Sequence, residues 1–259
     1  MQPLLNIAIN AARQAGDIIR RYVDQLDKLN ITAKNDHDFF TEVDVKAEQI
    51  IIKNIHKAYP EHGIIAEESG VMHTDSDTTW IIDPLDGTNN FLHGFPFYAV
   101  AIAVRVKNRL EHAVVYDPIR HECFAASRGR GAQLNDRRIR VSKQFSLSQA
   151  LLGMGLSKHA MVQLKRHQTI QEQLIGKCAG MRRTGSAALD LAYVACGRLD
   201  GFVETNLKIW DIAAASLIIR EAGGLVSDFK GHDDYLNSGD IVAGNPKIFK
   251  SLLQIIHTK

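Results

Sequence analysis

Residues 80–91 read WIIDPLDGTNNF. Trp80, Ile81 and Ile82 are an apolar run of the kind a buried strand carries. Two acids follow, Asp83 and Asp86, with Pro84 and Leu85 between them. Proline donates nothing to a ladder, so the strand is expected to end at Pro84. Gly87 lets the backbone turn tightly or approach a ligand closely. Thr88, Asn89 and Asn90 are small polar residues suited to opening a helix. Two carboxylates therefore converge at the carboxyl end of a strand, beside a loop of N–H groups. Carboxylates attract hard cations, and such N–H groups attract phosphate. Taken alone, Asp-Pro and Asp-Gly are ordinary turn formers. The buried strand before them and the GTNNF after them lift the run above that reading.

Upstream, Leu4, Ala8, Ala11, Ala15, Ile18, Ile19 and Tyr22 recur at helical spacing over residues 3–23. The polar stretch 24–37 is expected to be a mobile loop. Thr41 and Asp44 fit a capping box for a helix that carries Val43, Ala47, Ile50, Ile51 and Ile55 and stops at Pro60. Next comes His62 to Ser69, HGIIAEES, a short apolar strand ending in Glu67 and Glu68. If it neighbours the Trp80 strand, Glu67 and Asp83 can face one cation. Residues 71–78 read as an exposed polar connector.

Downstream, residues 98–107 and 110–116 predict a hairpin, and strands near 121–126 and 131–134 extend it as an antiparallel meander. Arg137, Arg138 and Arg140 read as an exposed basic face. A second half begins near residue 141. It holds a strand at 150–154, a polar helix over 158–175, and the run RRTGSAALDLAYVACGRLDGFVE at 182–204. In that run Ser186 caps a helix, Gly197 ends it, and a strand leads to Glu204. The segment IWDIAAASLIIREAGG, 209–224, sets Asp211 at the amino end of a helix, where the macrodipole favours an acid. Strands at 225–229 and 241–243 and a helix over 245–257 complete the pattern.

The chain has 259 residues, 45% hydrophobic and 23% charged, enough for one large domain or two joined halves. A net charge of +2, from 31 basic and 29 acidic residues, gives no case for bulk nucleic-acid binding. Cys123, Cys178 and Cys196 are odd in number and widely spaced, which reads as reduced, buried thiols of a cytoplasmic protein. No apolar run reaches membrane-spanning length, and no signal peptide is read.

The EES at 67–69, DPLDGTNNF at 83–91, RRTGSAALD at 182–190 and WD at 210–211 resemble, in order and spacing, the signatures of the inositol monophosphatase family. The resemblance covers essentially the whole chain, and within the family it points to the bacterial branch. It implies a layered αβαβα sandwich related to fructose-1,6-bisphosphatase, with residues 1–140 and 141–259 as the two halves of one catalytic unit. It further implies two or three Mg²⁺ ions held by Glu67, Asp83, the carbonyl of Leu85, Asp86 and Asp211, with Li⁺ as an inhibitor. Asp44 and Thr88 would activate the attacking water, with Glu67 counted in the catalytic set. Asp86, Gly87, Thr88, Arg182, Gly185, Ser186, Ala187, Glu204 and Asp211 would contact the substrate.

The expected activity is hydrolysis of inositol 1-phosphate, a small phosphorylated polyol, by a cytoplasmic homodimer. Fructose 1,6-bisphosphate, 3′-phosphoadenosine nucleotides and histidinol phosphate are the alternative substrates. Bacterial members are also associated with ribosomal RNA transcription and antitermination, so RNA polymerase machinery is a further expected partner. Neither a membrane nor direct nucleic-acid contact is expected.

Overall fold

The computed structural model describes residues 2–28, 31–35, 38–73, 75–155 and 164–257. Helix α1, Pro3–Tyr22, leads through a 3₁₀ segment, Val23–Lys28, to two short antiparallel strands, β1 (Ile31–Asn35) and β2 (Asp38–Thr41). In the stretch expected to be a loop, residues 24–28 are thus 3₁₀ helix and 31–35 are paired strand, while residues 29–30 and 36–37 lie outside the described residues. Helix α2 is Glu42–Ala58, followed by β3 (Gly63–Ala66) and β4 (Gly70–Met72). Strand β4 occupies part of the expected 71–78 connector and pairs back on β3.

Strand β5, Thr78–Asp86, runs on through Pro84 rather than ending there. Asp83 faces Ala101 and Asp86 faces Ala99, so one extra residue is bulged out of β5. A bulge tolerates a proline because the missing N–H falls where the ladder is already broken. The bulge also re-aims the residues around it, so both acids and Leu85 sit on distorted strand. Helix α3 (Thr88–Leu92) follows, then β6 (Ala99–Val106), β7 (Arg109–Asp117), β8 (Glu122–Ser127), β9 (Gly131–Leu134) and β10 (Arg137–Arg138). These form an eight-stranded sheet of order β10-β9-β8-β7-β6-β5-β3-β4. All its pairings are antiparallel except β3 with β5.

The remaining elements are β11 (Leu151–Met154), α4 (Leu164–Leu174), β12 (Gly180–Arg182), α5 (Ala187–Ala195), β13 (Gly201–Glu204), α6 (Ile209–Glu221), β14 (Leu225–Ser227), α7 (Tyr235–Ser238), β15 (Ile241–Gly244) and α8 (Pro246–His257). A five-stranded sheet has the order β12-β11-β13-β15-β14, with β11 parallel to both β12 and β13. The first part of the helix expected over 158–175, residues 158–163, lies outside the described residues.

Period-two alternation sorts the side chains into layers. Val100, Ile102 and Val104 of β6 pack with Trp80 and Ile82 against α1 and α2. Ala99, Ala101 and Ala103, the other face of the same strand, meet Ala213, Ala214 and Ala215 of α6. Small residues on both sides let α5 and α6 lie close between the two sheets. Leu152, Val203 and Val242 turn to the outer face of the second sheet, with Ile248 and Leu252 of α8. The order is helix pair, sheet, helix pair, sheet, helix pair. Each fully buried aliphatic side chain in these layers contributes about 1.5–3 kcal/mol. Cys123 is buried, and burial pushes its thiol up to about 11; Cys178 and Cys196 are only half-buried. Arg137, Arg138 and Arg140 are exposed, as the sequence predicts.

Candidate active site

The parallel pairing of β3 with β5 sets Ala66 opposite Ile82, and the Glu67 N–H donates to the Ile82 carbonyl at 3.2 Å. Glu67 and Asp83 therefore emerge side by side, at the same end of the first sheet. In the second sheet the carboxyl ends of β11, β12 and β13 deliver Gly155, the 183–186 turn and Glu204. Open α/β sheets bind ligands beyond the carboxyl ends of their strands. A cleft of about 580 Å³ lies between these two edges. Glu67, Asp83, Leu85, Asp86, Gly87, Thr88, Gly185, Ser186, Ala187, Glu204 and Asp211 all line it.

Asp83, Asp86 and Asp211 each bring a carboxylate oxygen within 4.8 Å of the others, a group able to hold a metal ion. Asp83 is buried and its carboxyl is pushed well above the usual range, first by burial, then by the charges of Glu67, Asp86 and Asp211. Four acids in such company are unfavourable without a compensating cation. All-oxygen donors are the set that hard divalent ions prefer. The fold holds the acids in place through backbone donors. The Leu85 N–H donates to Asp83 Oδ1 at 3.0 Å, and the Lys208 N–H donates to Asp211 Oδ2 at 2.7 Å at the start of α6. Glu48, buried on α2, accepts the N–H groups of Glu68 and Ser69 at 2.8 Å each, and so fixes the turn after Glu67.

Asp44 does not line the cleft but lies directly behind it. Its Oδ2 accepts the N–H and hydroxyl of Thr41 at 2.8 and 2.6 Å, completing the capping box of α2. Its Oδ1 accepts the Thr88 hydroxyl at 3.0 Å. One carboxylate thus caps a helix with one oxygen and reaches the cleft through Thr88 with the other. Burial raises the Asp44 carboxyl, against the hydrogen bonds from Thr41 and Thr88. Gly87 has φ +99°, and a Cβ there would come within 3.1–3.3 Å of Phe97 O, Tyr98 Cβ and Gly185 O. The turn that opens α3 is therefore open only to glycine.

On the other wall, Glu204 is buried and raised well above the usual range, by burial and then by Asp211, Asp190 and Asp86, with Arg183 opposing. It packs straight over Gly155, where a Cβ would lie 1.8 Å from Glu204 Oε2. Ser186 does cap α5, accepting the Leu189 N–H at 3.3 Å, but its hydroxyl proton goes to Asp86 Oδ2 at 2.5 Å. The Ala188 N–H donates to the same oxygen at 2.7 Å. The Ser186 hydroxyl thus donates to Asp86, and Ser186 lines the cleft where a contact to the polyol was expected. Arg182, expected around the polyol, is not among the residues that line the cleft. It is exposed at the end of β12, outside the cleft lining, with Nη1 turned back to the Met181 carbonyl at 3.1 Å. Arg183 and Lys208 bring positive charge to the cleft instead.

Sequence reasoning also passed over Asp190 and Asn90. Asp190 lines the cleft from the buried face of α5, its carboxyl raised to about 7 by burial, with Asp86 adding and Thr184 opposing. An acid inside the apolar run AALDLAYVA was the available signal. Asn90 gave none beyond its place in the motif.

The Inositol monophosphatase family profile matches residues 1–258. The chain belongs to the inositol monophosphatase family. One similar relative is "Nus factor SuhB" of Pseudomonas aeruginosa, 52% identical over 261 residues, covering 99% of this chain and 96% of the relative. Among solved structures, extragenic suppressor protein suhB from Bartonella henselae superposes with a TM-score of 0.96 at 40% identity, covering 99% of each chain. The inositol monophosphatase from Anabaena superposes with a TM-score of 0.84 at 34% identity, covering 98% of this chain and 94% of that one. The family fold is the layered α/β sandwich described above. Among the described residues, no helix is long and apolar enough to cross a membrane.

Proposed function

We propose that the chain is a Mg²⁺-dependent phosphatase that hydrolyses inositol 1-phosphate to inositol and phosphate. The observation that carries this reading is the convergence of Asp83, Asp86 and Asp211 within 4.8 Å, in a cleft that Thr88 also lines. Glu67, Asp83, Asp86, Asp211 and the Leu85 carbonyl would hold two or three Mg²⁺ ions. When bound, these ions supply Lewis-acid activation of water and neutralise charge on the phosphate and the leaving oxygen. Thr88 donates its hydroxyl proton to Asp44 and offers its lone pairs to the attacking water. A proton leaving that water then passes toward Asp44, whose burial suits it to hold one. The N–H groups of Gly87 and Thr88 take the phosphate oxygens. Glu204 and the Ala187 N–H receive the hydroxyls of the alcohol. No side-chain nucleophile is used. Residues 1–140 and 141–259 act as one unit, because the acids come from both.

The test is phosphate release from inositol 1-phosphate as Mg²⁺ is titrated, beside fructose 1,6-bisphosphate, a 3′-phosphoadenosine nucleotide and histidinol phosphate. Inositol 1-phosphate should show the highest kcat/KM, with Li⁺ inhibiting. Asp86→Asn and Asp211→Asn should stay folded and lose nearly all turnover. Near-normal hydrolysis by either at saturating Mg²⁺ removes the metal assignment.

The relative's description as a Nus factor supports a second reading. In it the chain, as a cytoplasmic homodimer, serves transcription antitermination as a binding partner. Growth complementation by Asp86→Asn separates the two, since a binding role survives loss of the chemistry.

A further inference from the structure

Asn90 sits in the short helix that follows the acids Asp83 and Asp86, and it spans the two halves of the cleft. Its Nδ2 donates to the Phe97 carbonyl at 2.7 Å and to the Thr184 carbonyl, in the other half of the chain, at 2.8 Å. An amide nitrogen has two hydrogens, and both are spent here. Its backbone carbonyl accepts the Phe95 N–H at 2.8 Å, which anchors Asn90 to its own loop. On the far side, Gly185 has φ +89°, and a Cβ there would lie 2.9 Å from both Nδ2 and Oδ1 of Asn90. The 183–186 turn therefore lies directly on the carboxamide. The same turn continues into Ser186 and Ala188, whose donors hold Asp86 Oδ2.

We propose that Asn90 is a positioning residue that clasps the Thr184–Ser186 turn to the acid-bearing loop and so sets the alcohol wall of the cleft against the metal wall. This rests on the phosphatase reading for its kinetic consequence, though not for its geometry. Asn90 lines the cleft, but both its amide hydrogens go to backbone carbonyls. It acts through the Thr184 carbonyl, which fixes Gly185, Ser186 and Ala187. Without the two N–H donors the turn shifts and the hydroxyl contacts misalign; metal binding is disturbed less, because Asp86 is also fixed by its strand pairing to Ala99, and Asp83 and Asp211 by the Leu85 and Lys208 N–H groups.

The experiment compares wild type, Asn90→Ala and Gly185→Ala on inositol 1-phosphate and on p-nitrophenyl phosphate, whose leaving group has no further hydroxyls to be placed. The kcat/KM ratio between the two substrates should fall at least ~tenfold in each variant, since a small misplacement at the reacting centre is costly. The Mg²⁺ half-saturation should move by less than about threefold, the range of an indirect effect. The double variant should lose much less than the product of the single losses, because both changes release one contact. Equal losses on both substrates, or losses that multiply, overturn the proposal. If Asn90→Ala does not fold, Asn90→Ser, which also removes both amide N–H donors, gives the same readout. Amide hydrogen exchange over 184–188 tests the clasp without any substrate. Faster exchange there in the Asn90 variant is expected, and unchanged exchange overturns the clasp. Failure of wild type to hydrolyse inositol 1-phosphate would instead strike the phosphatase reading, leaving the exchange result to judge the clasp.

Discussion

Replacing Asp83 by Asn should make the metal-free protein more stable and the metal-loaded protein less so. Asparagine keeps the side-chain oxygen that accepts the Leu85 N–H, so the loop's local hydrogen bond survives. What is removed is a buried charge whose nearest neighbours are acids. At an effective dielectric constant of about 20, two unit charges 4.8 Å apart repel by about 3.5 kcal/mol. Solvent reaching the half-buried Asp86 and Asp211 cuts each pair to ~1–2 kcal/mol. Two pairs give roughly 2–4 kcal/mol, or about 5–10 °C in Tm for a chain of this size. The sign of the pH dependence follows. Asp83 has a folded value raised above its unfolded one, so the folded state keeps a proton that the unfolded chain releases. Stability of the metal-free protein therefore falls as pH rises from the ordinary aspartate range to the raised folded value, and the variant should flatten that fall. Thermal and urea unfolding in chelator, then in millimolar Mg²⁺, supplies the measurement. Mg²⁺ at about 100 times its Kd should stabilise wild type by ~2.7 kcal/mol, and the variant by far less. A metal-free Asp83→Asn protein less stable than wild type, or one stabilised equally by Mg²⁺, would refute the electrostatic account of the cage.

Thr88→Val keeps the shape but breaks the link from cleft to Asp44; kcat should drop about 10²–10⁴-fold with KM little changed, as read in steady-state kinetics. Gly155→Ala puts a Cβ where Glu204 lies, so Glu204 must swing aside. KM for inositol 1-phosphate should rise, while Mg²⁺ affinity, followed by calorimetry, should hold. Glu48→Gln sets an NH₂ group against one of the N–H donors of the Glu68–Ser69 turn. A cost of about 2–3 kcal/mol in urea unfolding is expected, together with weaker Mg²⁺ binding through the loosened Glu67.

What the sequence disclosed and what it hid divide along physical lines. The helices α1, α2, α5, α6 and α8 and the meander from β6 to β9 were legible because their cores repeat with period 3.6 or 2, and one-sided burial writes that period into the chain. The acids were legible because two of them share a turn and the others end a strand or open a helix. The bulge at Pro84 was not, since proline marks a broken ladder equally well at a strand's end and in its middle; only the register against Ala99 and Ala101 separates the two. Arg182 and Arg183 are adjacent and chemically alike, so which one meets the cleft depends on where β12 stops, a matter of one residue. Ser186 was legible only in part. Its spacing announces a helix cap, and it is one, but its proton goes to an acid 100 residues earlier in the chain. Asn90 and Glu48 share that property: each satisfies backbone groups supplied by another segment. Such residues carry no local period and no charge cluster of their own, so three-dimensional contact alone gives them meaning. In this chain the acids that line the cleft were readable from their types and from the family resemblance, whereas the groups that hold two remote walls at one distance were not. The second kind is where a change outside the Asp83, Asp86 and Asp211 cluster is expected to alter the relative placement of the two walls.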